Sequence, residues 1–542
     1  MRPCAFRKKL VAAKIKLVAA LCLAAFCGQA FSSTSLMVNG HAGLLGQYAT
    51  NIPPTNSTYF ALRVPIGLTL QASPSDNLNI YLGLDYAYNN YPNTPTLLGQ
   101  NSTTATTNPD GQSTPMPFAN TINAQNGSGG TPYGEQVDTP TLTTAYFTYQ
   151  TPMGLLKAGR MPRNWGLGVW HNDEWSPTGG AISTSDAIAF TTDLNLFDVN
   201  VYYERYGEAV GGNSTNQSAV AYTAEARLKT DAADAPSTGV SREIGVAFSK
   251  FDHGQSNTSL TILDGYGKFY LSKFFVGAEV LYPTGTTQNP NYQSLGGAAD
   301  CLTTSGVESQ SQSKTCSAQS FTAMAALLKM KYQLDNEENT SIFATETAQN
   351  LVGTAERQSS NTLGFWAGYA SGGANQFYTA NDTSLGGGGN NITAIMMNPN
   401  IQPSFLMFNN TTPPINGMPT GAITNTTFAR LDYTYESPGF GSIGPVLVWG
   451  RLNHTNSQYN AENSLCTSQA IVSSTSAINR MCVGGSSNLG VEFDISYRYT
   501  TLDRVNVGAD LGYWVVGDAW KVYGQGTPNS TYGTRIFTGV QF

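Results

Sequence analysis

The feature that most constrains this chain is an alternation of apolar and polar side chains along short segments. In residues 77–88, NLNIYLGLDYAY, one face carries four aliphatic side chains followed by Tyr86 and Tyr88, and the other carries Asn79, Tyr81, Gly83, Asp85 and Ala87. The segments that repeat this pattern are residues 59–70, 197–205, 324–334 and 489–499. Such alternation is typical of β-strands that separate an apolar from a polar environment.

The same segments predict how the chain would span a membrane. After the N-terminal signal described below, no stretch of the sequence is long and apolar enough for a membrane helix. An open sheet would leave backbone groups unpaired in lipid, whereas a closed barrel pairs all of them. Charged residues make up 12% of the chain, about half of their usual share. We therefore predict an all-β fold, a transmembrane antiparallel up-and-down β-barrel of about 18 strands, within 16–20.

The connections between the predicted strands are of two kinds. The short ones are residues 73–77, 151–154, 335–339, 436–441 and 501–503, and the long polar ones are residues 89–139, 283–318, 371–426 and 454–486. This asymmetry predicts short periplasmic turns and long extracellular loops. The strand count is inconsistent at residues 363–369, which run in opposite directions when counted from Leu36 and from Phe542. A strand within 350–425 is therefore missing or in excess, and residues 403–409 are a candidate.

The N-terminus has the organisation of a secretory signal peptide. Six basic residues precede and flank an apolar core at residues 17–27, and a small residue, Ala30, suits cleavage. We expect residues 1–30 to be removed and residues 31–542 to form one barrel domain. The six basic residues leave 22 of the 28 Lys and Arg against 35 Asp and Glu, a formal charge of about −13. No basic run predicts a nucleic-acid partner.

Four cysteines remain after the signal peptide, and all fall in long polar connections. They are Cys301, Cys316, Cys466 and Cys482. Because an exported chain meets oxidising conditions, we predict two local disulfides, Cys301–Cys316 and Cys466–Cys482, as the first of three possible connectivities. A metal site is the weaker alternative, since no CxxC motif occurs and histidine is scarce.

A dense group of aromatic and charged residues lies between positions 160 and 175. Its members are Arg160, Arg163, Trp165, Trp170 and Trp175. Near a pore mouth, arginine and tryptophan could stack on sugar rings or hold anionic groups. The interpretation that we favour is that the tryptophans belong to the interfacial aromatic belt and that the charges lie in a solvated loop.

Other charged residues are predicted to face the lumen, because they alternate with aliphatic side chains. These candidate pore-lining residues are Asp85, Asp198, Glu204, Lys329, Lys331, Glu492, Asp494, Arg498 and Arg535. They could create a transverse field in a channel, or they could hydrate and cross-link the lumen, and the two alternatives are compatible. Arg205 lies on the same face of its predicted strand as the aliphatic residues, so we place it at a rim of the barrel. The four histidines are far apart and no catalytic or cofactor motif occurs, so we predict no enzyme and no cofactor.

The last strand carries a resemblance to a known family. In residues 531–542, TYGTRIFTGVQF, the side chains of Ile536, Val540 and Phe542 share one face, with threonines between them. This resembles the last strand of bacterial outer-membrane porins, in which a terminal phenylalanine is read by the barrel-assembly machinery. Residues 151–166, TPMGLLKAGRMPRNWG, resemble the turn and "GR" strand common in porins. Carbohydrate- and alginate-export porins are a fainter similarity.

The resemblance implies a location and a function. It implies a barrel in outer-membrane lipid, assembled by the outer-membrane machinery, through which small hydrophilic solutes diffuse passively without a cofactor. A homotrimer is one open alternative for the oligomeric state. Strand character begins near Leu36, which leaves no room for the plug of a ligand-gated transporter. The alternative function is a non-conducting surface barrel whose long loops act as an adhesin or scaffold, and an outer-membrane enzyme is a third. The negative charge hints at a preference for cations.

Overall fold

The fold is given by a computed structural model that describes most of the predicted strands and part of the connections. The described residues are 35–52, 57–90, 141–173, 183–194, 197–206, 219–229, 240–253, 258–271, 273–287, 319–334, 359–372, 391–393, 395, 397–398, 400–408, 423, 425–453, 486–500, 505–520 and 529–542. The predicted signal peptide, the four cysteines and Trp175 lie outside them. Among these residues, no helix has the length and apolar character needed to cross a membrane.

Within the described residues, twenty strands and a short 3-10 turn at Asp518–Trp520 follow one another. The strands are β1 (Ser35–Ile52), β2 (Ser57–Ser75), β3 (Leu78–Asn90), β4 (Thr141–Thr151), β5 (Gly154–Pro162), β6 (Thr184–Asp193), β7 (Phe197–Tyr206), β8 (Ala219–Lys229), β9 (Val240–His253), β10 (Thr258–Leu271), β11 (Phe274–Thr287), β12 (Gln319–Thr322), β13 (Ala325–Gln333), β14 (Ser360–Ala370), β15 (Asn391–Ile392), β16 (Thr426–Ser437), β17 (Gly441–Leu452), β18 (Asn488–Thr500), β19 (Val505–Val516) and β20 (Thr531–Gln541).

These elements make a closed barrel of 18 strands. Strands β12 and β13 both pair with β11, so they are consecutive parts of one barrel strand. Strand β15 has two residues and pairs in parallel with β12, which makes it part of a loop. Every other neighbouring pair is antiparallel, and the sheet closes between β1 and β20. The predicted fold and the predicted strand number of about 18 are confirmed.

The barrel closes between the first strand and the last. Gly46 lies opposite Ile536 and Ala42 lies opposite Val540. Beyond this ladder, the backbone N–H of Phe542 donates to the carbonyl of Gly40 at 3.0 Å. The backbone N–H of Gly40 donates to the carbonyl of Phe542 at 2.8 Å. A Cβ atom on Gly40 would lie 2.5 Å from the Phe542 ring, so the glycine leaves room for the terminal side chain.

The inconsistent strand count is resolved at β13 and β14. These two strands are hydrogen-bonded directly to each other, from the pair Ala325 and Ala370 to the pair Gln333 and Thr362. The connection between the two strands spans residues 334–359, and the predicted tight turn at residues 335–339 lies outside the described part of the chain. The candidate strand at 403–409 is wrong, since residues 403–408 lie inside the barrel. Residue 409 lies outside the described part of the chain.

The outer surface of the barrel is apolar between two aromatic girdles. Ile536, Val246 and Leu511 point outward and are 62%, 61% and 56% exposed. At the end with the long connections the exposed girdle contains Tyr48, Tyr203, Tyr222, Phe248, Trp449, Tyr513 and Tyr532, and at the end with the short turns it contains Phe147, Tyr149, Phe197, Tyr332, Phe440 and Phe542. A continuous apolar surface of this size is stable in lipid rather than in water. We call the end with the short turns periplasmic.

Candidate channel interior

Two loop segments turn back into the barrel and fill part of its lumen. Segment A is residues 163–173, between β5 and β6, and segment B is the described part of residues 393–408, between β15 and β16. Trp165 and Val169 of segment A and Leu406 of segment B are almost completely buried. They belong to one apolar cluster with wall side chains such as Leu260 and Val448. The largest apolar core of the described residues therefore lies inside the barrel, between these segments and its wall.

Arg163 ties the start of segment A to the wall. Its guanidinium donates to Glu204 of β7 and, at 2.6 Å, to Glu225 of β8. The guanidinium carbon also lies 3.8 Å from the centroid of the Tyr202 ring. All three charged side chains are buried. Because a buried charge is stable when it is paired and hydrogen-bonded, this cluster holds the segment in one position.

The sequence Trp165–Gly166–Leu167–Gly168 brings the backbone of segment A against Glu279 of β11. The indole Nε1 of Trp165 donates to Asp264 of β10 at 3.0 Å. Gly166 and Gly168 have φ angles of 59° and 86°, which favour glycine. A Cβ atom on Gly166 would lie 2.5 Å from the Glu279 carboxylate. Gly166 therefore allows the close approach of this turn to the wall, whereas a Cβ atom on Gly168 would lie 2.7 Å from Asn172 within the segment.

Glu279 and Glu492 hold the two segments in the same way. The carboxylate of Glu279 accepts hydrogen bonds from the backbone N–H groups of Leu167 and, at 3.2 Å, Val169. The carboxylate of Glu492, on β18, accepts from the backbone N–H groups of Leu406 and, at 2.6 Å, Met407. Both carboxylates are fully buried. Each satisfies two loop amides that would otherwise be buried without a partner.

These contacts correct three of the predicted pore-lining positions. Glu204, Glu492 and Asp494 face inward as the alternation predicts, but the segments cover them. Asp494 accepts the backbone N–H of Phe405 at 3.1 Å and is itself buried. The inward face of a strand is therefore not always the surface of the channel. Arg535 is also largely buried, and it bonds Asp510 at 2.7 Å.

The aromatic and charged group at residues 160–175 is divided between two places. Arg160 points outward, where its guanidinium makes two bonds with Asp186 at 2.7 and 2.9 Å. The prediction that it lies at the pore mouth is wrong. The sequence does indicate the outward position, because Arg160 alternates in step with the apolar residues Leu156 and Ala158. Trp165 and Trp170 are buried inside the barrel, so the favoured interpretation of an interfacial belt is also wrong.

His171 is the most enclosed titratable group of segment A. Its ring stacks on Trp170 at a centroid distance of 4.4 Å. Within the described part of the chain neither ring nitrogen has a hydrogen-bond partner. Burial, and then the nearby positive charge of Arg163, hold the pKa of His171 well below its ordinary value. The imidazole is therefore neutral at physiological pH.

A row of inward side chains crosses the wall beside segment B. The cross-strand register places Gly277 opposite both Lys268 and Lys329, and Trp366 opposite both Lys329 and Arg430. The Lys329 Nζ atom lies 4.4 Å, and the Arg430 guanidinium carbon 4.6 Å, from the centroid of the Trp366 ring. Arg430 also donates to the carbonyl of Pro403 in segment B at 3.2 Å. The row therefore borders the segment that narrows the lumen.

Charged side chains that remain partly exposed on the inner face have a positive balance. Among the described strand residues, the partly exposed inward cations are Lys157, Arg227, Lys268, Lys329, Lys331, Arg430 and Arg498, and the partly exposed inward acids are Asp193, Asp198, Glu243, Asp432 and Glu436. Four of the candidate pore-lining residues, Lys329, Lys331, Arg498 and Asp198, are among them. Asp85 pairs with Gly67 at a position of β3 that faces the lumen, and its side chain is not among those that the structure describes.

Comparison with solved structures finds chains of similar length. OccAB1 of Acinetobacter baumannii is 10% identical over 93% of this chain and 96% of its own, with a TM-score of 0.44. OccK2 (OpdF) of Pseudomonas aeruginosa, solved in complex with glucuronate, is 10% identical over 94% of this chain and 96% of its own, with a TM-score of 0.44. A BenF-like porin of Pseudomonas fluorescens Pf-5 is 8% identical over 94% and 98%, with a TM-score of 0.43.

No family model matches the sequence, and no curated protein is similar to it.

Proposed function

We propose that this protein is an outer-membrane porin through which small hydrophilic solutes, anions above all, diffuse passively. The observation that carries the proposal is a closed barrel of 18 strands with an apolar outer surface and a polar, charged inner surface. Barrels of about 16–18 strands are wide enough for an aqueous channel. Segments A and B narrow this channel and cover some of its inward charges, but others, such as Lys329 and Arg498, remain partly exposed on its inner face.

The preference for anions rests on the inward charges. The formal charge of the mature chain is about −13, but several of its acids, such as Glu279 and Glu492, are fully buried in the wall. The charges that stay partly exposed inside have more cations than acids. Rings of charged side chains near a constriction decide which ions enter a pore. The net charge of the whole chain is therefore a poor guide to selectivity.

Planar-bilayer recording of the purified protein tests both parts of the proposal. We expect conductance steps and, in a potassium chloride gradient, a reversal potential that favours chloride. Replacing the inward lysine, Lys329→Gln, should shift this potential towards potassium. Lys250→Gln is the matched control, because Lys250 lies on the outer face, where it bonds Ser259 at 2.7 Å, and it should leave the potential unchanged.

Two results would contradict the proposal. The absence of conductance steps from correctly folded protein would favour the alternative function, a surface barrel that acts through its long external connections. Conductance steps that favour potassium, with a reversal potential that Lys329→Gln leaves unchanged, would contradict the proposed anion preference. The proposed porin function would still stand.

A further inference from the structure

We propose that Asn398 is the positioning residue that joins segments A and B into one constriction across the lumen. The proposal rests on the proposed channel function, since it concerns the width of the same passage. Segment A is tied to β7, β8 and β11, and segment B is tied to β18. The two segments therefore start from different parts of the wall, and their relative position depends on what connects them.

Asn398 makes that connection with both its backbone and its side chain. Its backbone N–H donates to the carbonyl of Val169 at 2.9 Å. Its side-chain Nδ2 donates to the carbonyl of Trp170 at 3.1 Å and to the hydroxyl oxygen of Ser183 at 3.0 Å. Three hydrogen bonds thus join one residue of segment B to segment A and to Ser183, which lies just before β6. Asn398 itself is buried.

The remaining polar groups of Asn398 shape segment B. Its side-chain Oδ1 accepts the backbone N–H of Asn400 at 3.0 Å, and its carbonyl accepts the backbone N–H of Ile401 at 3.0 Å. Asparagine is suited to this position because its amide carries two donors and an acceptor on one short side chain. One longer contact also connects the segments, from Asn400 Nδ2 to the carbonyl of Asn172 at 3.4 Å.

An isosteric change separates the connecting role from simple packing. Asn398→Asp keeps the size of the side chain and the acceptor for Asn400, but it replaces the Nδ2 donor with an oxygen facing the Trp170 carbonyl. Asn398→Ala removes all side-chain bonds. Both variants leave the carboxylate anchors of the two segments and the barrel pairing untouched. If Asn398 connects the segments, both should release them from each other.

The experiment combines hydrogen exchange with single-channel recording on the full-length protein. For both variants we expect exchange of the amides in 163–173 to be faster by about tenfold or more, with strand amides unchanged. We also expect several conductance levels, with a mean at least double that of the wild type. The matched controls are Asn453→Ala and Asn453→Asp. Asn453 donates to the carbonyl of Ala370 at 2.7 Å at the external rim, and its variants should change neither quantity.

Different results overturn different statements. If neither Asn398 variant accelerates exchange in segment A, or if the Asn453 controls accelerate it equally, Asn398 does not join the segments. If exchange accelerates but the conductance of a conducting wild type does not change, the joined segments do not set the width of the passage. If the wild type shows no conductance while exchange responds as expected, the connection stands and the channel function fails.

Discussion

At the scale of single residues, the inner structure depends on buried carboxylates that bind backbone amides. Glu279 lies on β11 and Glu492 on β18, and each carboxylate holds one inward segment by accepting hydrogen bonds from two backbone N–H groups. The alternation of strand residues correctly predicts that Glu492 faces inward. The alternation cannot predict that a loop covers Glu492, because the period of a strand carries no information about what packs against its inner face.

The first residue-scale prediction concerns Glu279. Glu279→Ala leaves the buried N–H groups of Leu167 and Val169 without a partner, which costs about 1–3 kcal/mol for each group. We expect segment A to leave the wall and the single-channel conductance to rise. Glu279→Gln retains an acceptor oxygen and should have a smaller effect.

The control for this prediction is an acid that holds neither segment and does not face the lumen. Asp252 lies on the outer face of β9, where it accepts a hydrogen bond from Ser259 at 2.7 Å, and Asp252→Ala should leave the conductance close to that of the wild type. Equal conductance in the Ala variant of Glu279 and in the wild type would show that this anchor does not fix the constriction.

At the scale of elements, the sequence predicts strands much better than the parts that enter the lumen. Lipid imposes a strict requirement on every outward residue, so segments such as 77–88 and 489–499 show a clear period and appear as β3 and β18. The sequence does not predict that β13 pairs directly with β14, because local turn composition does not report which strands pair.

The inward segments gave weaker signals. The run Phe405–Leu406–Met407–Phe408 is apolar without alternation, as a segment buried on all sides would be. Segment A combines tryptophans, glycines and an arginine, a composition that is equally compatible with a solvated loop. Its burial depends on partners from β7 to β11, which lie 41 to 112 residues further along the chain.

The element-scale prediction concerns the last strand. Phe542 points outward and is 54% exposed, and the bonds between its backbone and Gly40 continue the closing ladder. We propose that the assembly machinery reads this residue, so Phe542→Asp should lower the yield of folded barrel in the outer membrane. The conductance of the molecules that do assemble should be unchanged.

Heat-modifiable migration in gels measures the folded fraction for this variant. Phe440→Asp is the matched control, because Phe440 is similarly exposed at the periplasmic end, in the turn between β16 and β17. Normal assembly of the Phe542 variant together with an altered conductance would contradict the assembly role.

At the scale of the whole molecule, the outer and inner surfaces follow different rules. The outer surface is set by lipid, and the period of the sequence predicts it. The inner surface is set by pairs of distant segments, which place Arg163, Glu279 and Asn398 in contacts that no local pattern reveals. This is why fold class and strand number could be predicted, whereas the burial of Glu204, Glu492 and Asp494 could not.

The central claim is that an open but narrowed aqueous passage crosses this barrel. Swelling of proteoliposomes in solutes of increasing size tests it most directly, since swelling requires net passage of the solute. The proposed function predicts rapid swelling in small sugars and small organic anions, slower swelling as solute size increases, and faster swelling in all of them for Asn398→Ala. Proteoliposomes that contain folded protein and swell in none of these solutes would contradict it.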